Sequence, residues 1–356
     1  MECKKKVAFL PAHPAQVWIL NSVAKEISSF AEPVWYLREK EISTELADYL
    51  GIEYRVISRA GENVLGNVGE LLSNTFKTVK YTQKNDIAMW VTKYSAGIIA
   101  SWFLRRKSIT FIDDDIDLIP YLSGTNFPFA DVIIAPCNTR MGRFEKKTER
   151  FPGNFELVYL HSSRFKPDPA IFNELGLHEG EKYAVIRLSA LQAHHDKGIR
   201  GISEGLLKEV IRLTDNDIRI FITSEKPISS QFEQYRLKIG PGKIHHALHY
   251  AKFFLGDSQT MTSEAAVLGT PAYRINDFVG KISYLEKLQN YGLAFGYKPG
   301  EEDILIYDLK ENLENASLAK EMDEKRKQYL KDCIDPLPFF VNVIRRTLFN
   351  TTPTDK

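Results

Sequence analysis

The sequence predicts an α/β fold built from two doubly wound parallel sheets, and three observations carry that prediction. Short continuous apolar runs, among them KVAFLPA (6–12), DIAMWV (86–91), YAVIRLS (183–189) and FFLGDS (253–258), read as strands buried on both faces. Stretches with apolar residues at helical spacing separate those runs, so strand and helix alternate along the chain. The alternation restarts after FPGNFELVYLHSSRFKPDP (151–169), whose Pro and Gly density makes it the best linker candidate. A chain of 356 residues is long for one core and comfortable for two domains of ordinary size. The expected division is an N-terminal domain over 1–160, a C-terminal domain over 161–335, and a tail, 336–356, that packs back on the first domain.

In the first half, the opening strand is followed by residues 15–29 with helical spacing at Val17, Leu20, Val23, Ala24 and Ile27. A strand at 33–37 precedes a helix over 43–50 closed by Gly51, and EYRVIS (53–58) runs into RAGENVLGNVG with its three glycines. The loop at 61–69 has neither a GK[ST] ending nor a GxGxxG order, so it reads as a mobile lid over the acceptor side or an ordinary flexible surface loop, and not as a phosphate cradle. DIAMWV, a helix through Leu104, SITFIDD and DVIIAP follow, then a polar stretch rich in Arg and Lys at 139–150. Lys93 and Gly97 interrupt IAMWVTKYSAGIIASWFL (87–104), which therefore reads as strand, loop and core helix, not as a membrane span. The second half gives YAVIRLS, a helix over 203–213, IRIFIT, helices near 229–237 and over 243–251, FFLGDS, a short helix stopped by Gly269, and TPAYRI. PLPFFVNVIRRTLF (336–349) closes the chain as an amphipathic helix.

Composition narrows the function classes. With 47 basic and 46 acidic residues the net charge is +1, so no global field draws the chain to nucleic acid or anionic lipid. Cys3, Cys137 and Cys333 form no paired or metal-binding spacing, and the start, MECKKKVAFLPAH, is broken too early to be a signal segment; both point to the cytoplasm. The basic runs at 105–107 and 146–150 are the places where a peripheral membrane contact would form.

Ligands of open α/β sheets sit beyond the carboxyl ends of the strands, so the chemistry belongs in the loops, at a cleft between the two sheets. The most informative stretch is 253–273. A helix starting at its small-residue loop directs free amides and a positive dipole end at a ligand, as a phosphate requires. Asp257, Ser258, Gln259 and Thr260 line that loop, and Glu264, one turn in, can accept hydrogen bonds from a ribose diol. Arg187 and Ser189 end the first C-terminal strand, and the next loop adds His194, His195 and Lys197, cations that offset a diphosphate. The helix start at Ile244 is placed to touch a base. His245 and His249 have an i, i+4 spacing that can bind zinc, but no carboxylate or cysteine lies near them in sequence, and no metal is expected. In the first half, His13 and the carboxylates Asp113, Asp114 and Asp115 are the candidate general bases, with helix capping as the alternative for each.

These residues carry a resemblance. GDSQTMTSEAAVLGTPAYRINDFVGKISYLE (256–286) resembles the donor segment of GT-B proteins, the group of the peptidoglycan N-acetylglucosaminyltransferase and the hydrolysing UDP-N-acetylglucosamine 2-epimerase. Together with FPGNFELVYLHSSRFKPDP, VIRLSALQAHHD and PAHPAQV, it is similar to an archaeal and bacterial family of unknown function described as predicted glycosyltransferases. The resemblance implies two Rossmann-like domains, with Glu264 on the ribose, 258–260 on the diphosphate, and Arg274, Asn276 and Asp277 at the donor sugar. It implies metal-independent transfer from a nucleotide-sugar donor, a substrate and not a cofactor, to an unknown glycan or lipid-linked acceptor. The alternatives are a hydrolysing nucleotide-sugar 2-epimerase and a non-catalytic nucleotide-sugar or glycan binder. The epimerase HR-x-EN sequence is replaced here by AHHDKG (193–198), which removes the expected support for that reaction.

Overall fold

Two parallel sheets organise the chain in a computed structural model that describes residues 4–39, 42–59, 64–189, 200–214, 217–225 and 227–351. They belong to two units, Met1–Tyr159 with Ile334–Lys356, and Leu160–Cys333. The first unit runs β1 (Lys6–Phe9), α1 (Pro14–Ile27), β2 (Glu32–Glu39), α2 (Ser43–Tyr49), β3 (Tyr54–Arg59), α3 (Val64–Lys84), β4 (Ile87–Val91), α4 (Ser95–Phe103), β5 (Lys107–Phe111), α5 (Pro120–Thr125), β6 (Val132–Pro136) and β7 (Thr148–Phe151). Its seven strands are ordered β3-β2-β1-β4-β5-β6-β7, all parallel. Residues 7–9 and 133–135 are fully buried, which is why these strands read as unbroken apolar runs.

A one-turn α6 (Leu157–Leu160) leads into the second unit, which runs α7 (Ile171–Glu174), β8 (Tyr183–Leu188), α8 (Glu204–Thr214), β9 (Arg219–Ser224), α9 (Ile244–Tyr250), β10 (Phe254–Gly256), α10 (Gln259–Leu268), β11 (Ala272–Ile275), α11 (Ser283–Asn290), β12 (Ala294–Tyr297), α12 (Glu302–Glu314) and α13 (Leu318–Lys331). Its sheet is ordered β12-β11-β10-β8-β9, again parallel throughout. The chain then returns to the first unit as α14 (Pro336–Phe349).

Packing departs from the expectations in three places. The segment read as a linker holds the boundary between the two units, but its first part is core: Phe151, Phe155, Val158 and Leu160 are at most 2% exposed, and Phe155 meets the rings of Phe151 and Phe111 edge-on at 5.0 and 5.5 Å. Phe340 of α14 joins that aromatic group at 5.4 Å from Phe111, so Pro and Gly here bend a chain that large apolar side chains bury. The loop expected at 61–69 is helical from Val64 onward, with 61–63 outside the described residues; α3 carries its glycines because its later turns pack on α4 and the sheet. The polar stretch at 139–150 ends in an edge strand, β7.

The basic runs are largely committed within the fold. Arg106 pairs with Asp86 at 3.0 Å, the Lys147 ammonium donates to the carbonyls of Phe127, Pro128 and Ala130 at 3.0–3.2 Å, and Arg150 pairs with Glu145 at 2.6 Å. Among the described residues, no helix is long and apolar enough to cross a membrane.

Helix α10 stops where Gly269 turns left-handed, at φ 90°, and a Cβ added there would lie 2.9 Å from Cδ of Arg326. Gly269→Ala is therefore expected to destabilise the chain by about 1–2 kcal/mol, read as a lower urea midpoint at unchanged slope. An unchanged midpoint would mean the turn has another conformation in solution.

Candidate functional site

The crevice of a doubly wound sheet opens beyond the strand ends where the strand order reverses. In the second unit that point lies between β8 and β10, because the chain steps outward from β8 to β9 and then crosses to β10 on the other side. Residues 187–189 and 256–258 meet there. Gly256 is required by close approach: a Cβ would lie 2.5 Å from the Phe254 ring and 3.3 Å from Cβ of Arg187.

Asp257 braces this junction from inside. It is 3% exposed, and Oδ1 accepts the Ser189 N–H at 2.7 Å while the Ile202 amide and the Ser189 hydroxyl also donate to the carboxylate. Burial pushes the Asp257 carboxyl above the usual carboxylate range, against the opposing pull of those amides. Its carbonyl accepts Nδ2 of Asn276 at 2.9 Å, and Oδ1 of Asn276 takes the Phe278 N–H at 2.9 Å. Asp257 and Asn276, read from sequence as ligand contacts, thus have side chains committed to backbone groups, because three segments must be held at one point.

On that braced turn Ser258 caps α10: its Oγ accepts the Met261 N–H at 3.4 Å, and its carbonyl accepts the Thr262 hydroxyl at 2.6 Å. Gln259 and Thr260 follow, partly exposed, in a first turn whose amides precede any intrahelical acceptor. Glu264 points to α9 and is 4% exposed; its Oε1 lies 2.9 Å from Nε2 of His245, itself 2% exposed. The same histidine that sequence pairs with His249 for zinc is thus the partner of the candidate ribose carboxylate.

Other candidates are distributed differently. Arg187 donates to Thr223 Oγ1 at 2.9 Å and ion-pairs with Glu225, so its charge is compensated by a carboxylate that sequence reading missed. Arg274, 1% exposed, turns to α11 and meets Glu286 at 3.2 Å, so it is buried between sheet and helix and not exposed at the strand end. Asp277 clasps Arg200 through its N–H at 2.7 Å and its guanidinium at 3.1 Å, contacts that hold the carboxyl below the usual range. Ile244 opens α9 partly exposed. His194, His195 and Lys197 lie outside the described residues.

In the first unit the reversal lies between β1 and β4, where the Thr92 hydroxyl donates to the Leu10 carbonyl. His13 caps α1, Nδ1 accepting the Ala15 N–H at 3.4 Å. Asp115 is fully buried and accepts the Arg140 N–H at 2.6 Å, a structural bond that removes it from the candidate bases. Sequence reading treated Lys93 only as an interruption of an apolar run. Here its ammonium meets Asp113 at 2.7 Å, under the Phe111 and Phe155 rings, and its carbonyl accepts Nδ2 of Asn126 at 3.0 Å. Burial alone would push this lysine down, but Asp113, Asp114 and Glu156 together outweigh it and hold the ammonium above its ordinary value. The signal for Lys93 was its place, two residues beyond a central strand at the reversal. Among the described residues, no group of three or more His, Cys, Asp and Glu is placed to hold a metal ion.

No family model matches the sequence, and no curated protein matches it. Solved structures do match, over nearly the whole chain. The UDP co-structure of MnaA from Staphylococcus aureus is 14% identical with a TM-score of 0.71, covering 99% of this chain and 100% of that one. A UDP-GlcNAc 2-epimerase from Neisseria meningitidis, bound to UDP-GlcNAc, is 10% identical with a TM-score of 0.68, covering 97% and 100%. The spinosyn forosaminyltransferase SpnP is 14% identical with a TM-score of 0.65, covering 96% and 100%. Two parallel sheets with interleaved helices and these neighbours make the fold GT-B.

Proposed function

We propose that the chain is a glycosyltransferase that takes its sugar from a nucleotide-activated donor without the help of a metal ion. The observation that carries the reading is the α10 start: a capped helix N-terminus on a braced turn at the reversal of the second sheet, with Glu264 one turn further on. The diphosphate would be met by the first-turn amides of 259–260 and the helix dipole, and the ribose diol by Glu264. UDP and UDP-GlcNAc in the neighbouring structures support the same ligand class.

In the first unit we assign the acceptor base to Asp114. Asp115 is fully buried, whereas Asp114 is partly exposed and lies within the field of the Lys93 ammonium, which favours its ionised, proton-accepting form. An epimerase reading keeps one specific support, the epimerases among the fold neighbours. A panel of nucleotide sugars separates the classes. Release of nucleoside diphosphate that requires an acceptor supports transfer; release with an altered free sugar supports epimerisation; thermal stabilisation without turnover supports a binder. Glu264→Ala should weaken nucleotide binding about 10–100-fold, the worth of a hydrogen bond to a charged group. In the same assay Asp114→Asn should lose turnover but keep that affinity. Unchanged affinity in Glu264→Ala would remove the ribose assignment.

A further inference from the structure

We propose that His245 is a positioning residue that sets Glu264 to recognise sugar hydroxyls; this rests on the ribose assignment just made. Glutamate carries three side-chain torsions, the last of them broad and two-fold, so an unheld carboxylate samples many acceptor directions. Here Oε1 is met by Nε2 of His245 at 2.9 Å, with the two side chains only 3% and 5% exposed. The donor is itself anchored. The Tyr183 hydroxyl donates to the Ala247 carbonyl at 2.8 Å and the Thr270 hydroxyl to the Leu248 carbonyl at 2.7 Å, fastening α9 to β8 and to the end of α10. Phe165 stands edge-on to the His245 ring at 6.2 Å, and the neighbouring His246 Nδ1 accepts the Asp168 N–H at 3.0 Å.

The chemistry of the pair follows from its groups. An ionised carboxylate only accepts, so the bond requires the imidazole proton on Nε2. A carboxylate has about four acceptor positions, so one bond to histidine orients the group without exhausting it. A carboxylate fixed in this way selects hydroxyl donors and repels phosphate oxygens. It therefore registers the nucleotide by its ribose, one helical turn away from the amides that take the diphosphate. His245 makes the geometry of that choice, and Glu264 makes the contact.

Calorimetric titration of the full chain with UDP, GDP, ADP and CDP, and with their 2′-deoxy counterparts, reads the choice as a ratio of affinities. The wild type should prefer the ribo form of its best ligand by about tenfold. His245→Phe should reduce the preference to about twofold or less, and His245→Gln, which still donates, should restore part of it. A purely structural histidine would lower thermal stability and leave the ratio alone, so an unchanged ratio in His245→Phe overturns the inference while leaving the nucleotide reading intact. A wild type that binds none of the four diphosphates overturns both. If the Phe variant does not fold, His245→Asn, whose amide is too short to reach Glu264, gives the same ratio test.

Discussion

Lys93→Met is expected to destabilise the first unit by about 3–5 kcal/mol, the cost of removing one partner from a buried ion pair. Methionine fills much of the volume but leaves the Asp113 carboxylate, 17% exposed, without its cation at 2.7 Å, beside Asp114 and Glu156. Urea unfolding followed by tryptophan fluorescence reports it, since Trp90 is buried in the same unit. A loss below about 1 kcal/mol would show that the pair is solvated and unimportant. Adding Asp113→Asn to Lys93→Met should recover much of the loss, because two neutral side chains avoid the orphaned charge. The pH dependence has a definite sign. The folded lysine sits above its ordinary 10.5, so its contribution is complete below that pH and is lost as pH rises through the higher folded value. The gap between wild type and Lys93→Met stays constant near neutrality and narrows only in strong alkali.

Asp257→Ala is expected to cost about 2–6 kcal/mol and to abolish measurable nucleotide binding. The Ser189 and Ile202 amides would each lose a buried acceptor, at about 1–3 kcal/mol apiece. The functional loss follows from position: these bonds fasten the end of β8 to the turn that carries Ser258 and the α10 start. Asp257→Asn should fall between, since its carbonyl still accepts from Ser189. Because burial raises the Asp257 carboxyl from 3.8, the ionised form is the disfavoured one in the folded chain. The wild-type advantage over Asp257→Asn is therefore greatest in acid, and it shrinks as pH rises through the raised folded value. Denaturation and titration together check both effects; an Asp257→Ala protein of wild-type stability and affinity would show that the turn holds without its brace.

Much of the second unit was legible because its signals are local. Asp257, Ser258 and Gly269 are turn, cap and stop, each readable from a few neighbouring positions, and they bound α10. Glu264 was legible as a carboxylate one turn in, but its partner was not. His245 is nineteen positions away, and a pairing at that separation leaves no periodic trace. Lys93 was misread for the same reason. In one dimension it breaks an apolar run, and only the pairing of β4 with β5 brings Asp113 beside it. The segment read as a linker does carry the unit boundary, but the aromatic core at 151–155 within it was not legible, because Pro and Gly report bending, whereas burial depends on Phe111 and Phe340, which are distant in sequence.

The sequence by itself determined two doubly wound sheets, since strands buried on both faces must be apolar throughout and the helices between them must be amphipathic. It also determined where the capped helix α10 starts and stops, since caps and stops are local chemistry. Only the tertiary structure decided which polar residues hold the fold, sending Asp115, Asp257, Arg274 and Asn276 inward to partners of their own. The physical reason is that a buried polar group must find its complement, and that complement is set by strand order and helix packing, which bring together residues far apart in the chain.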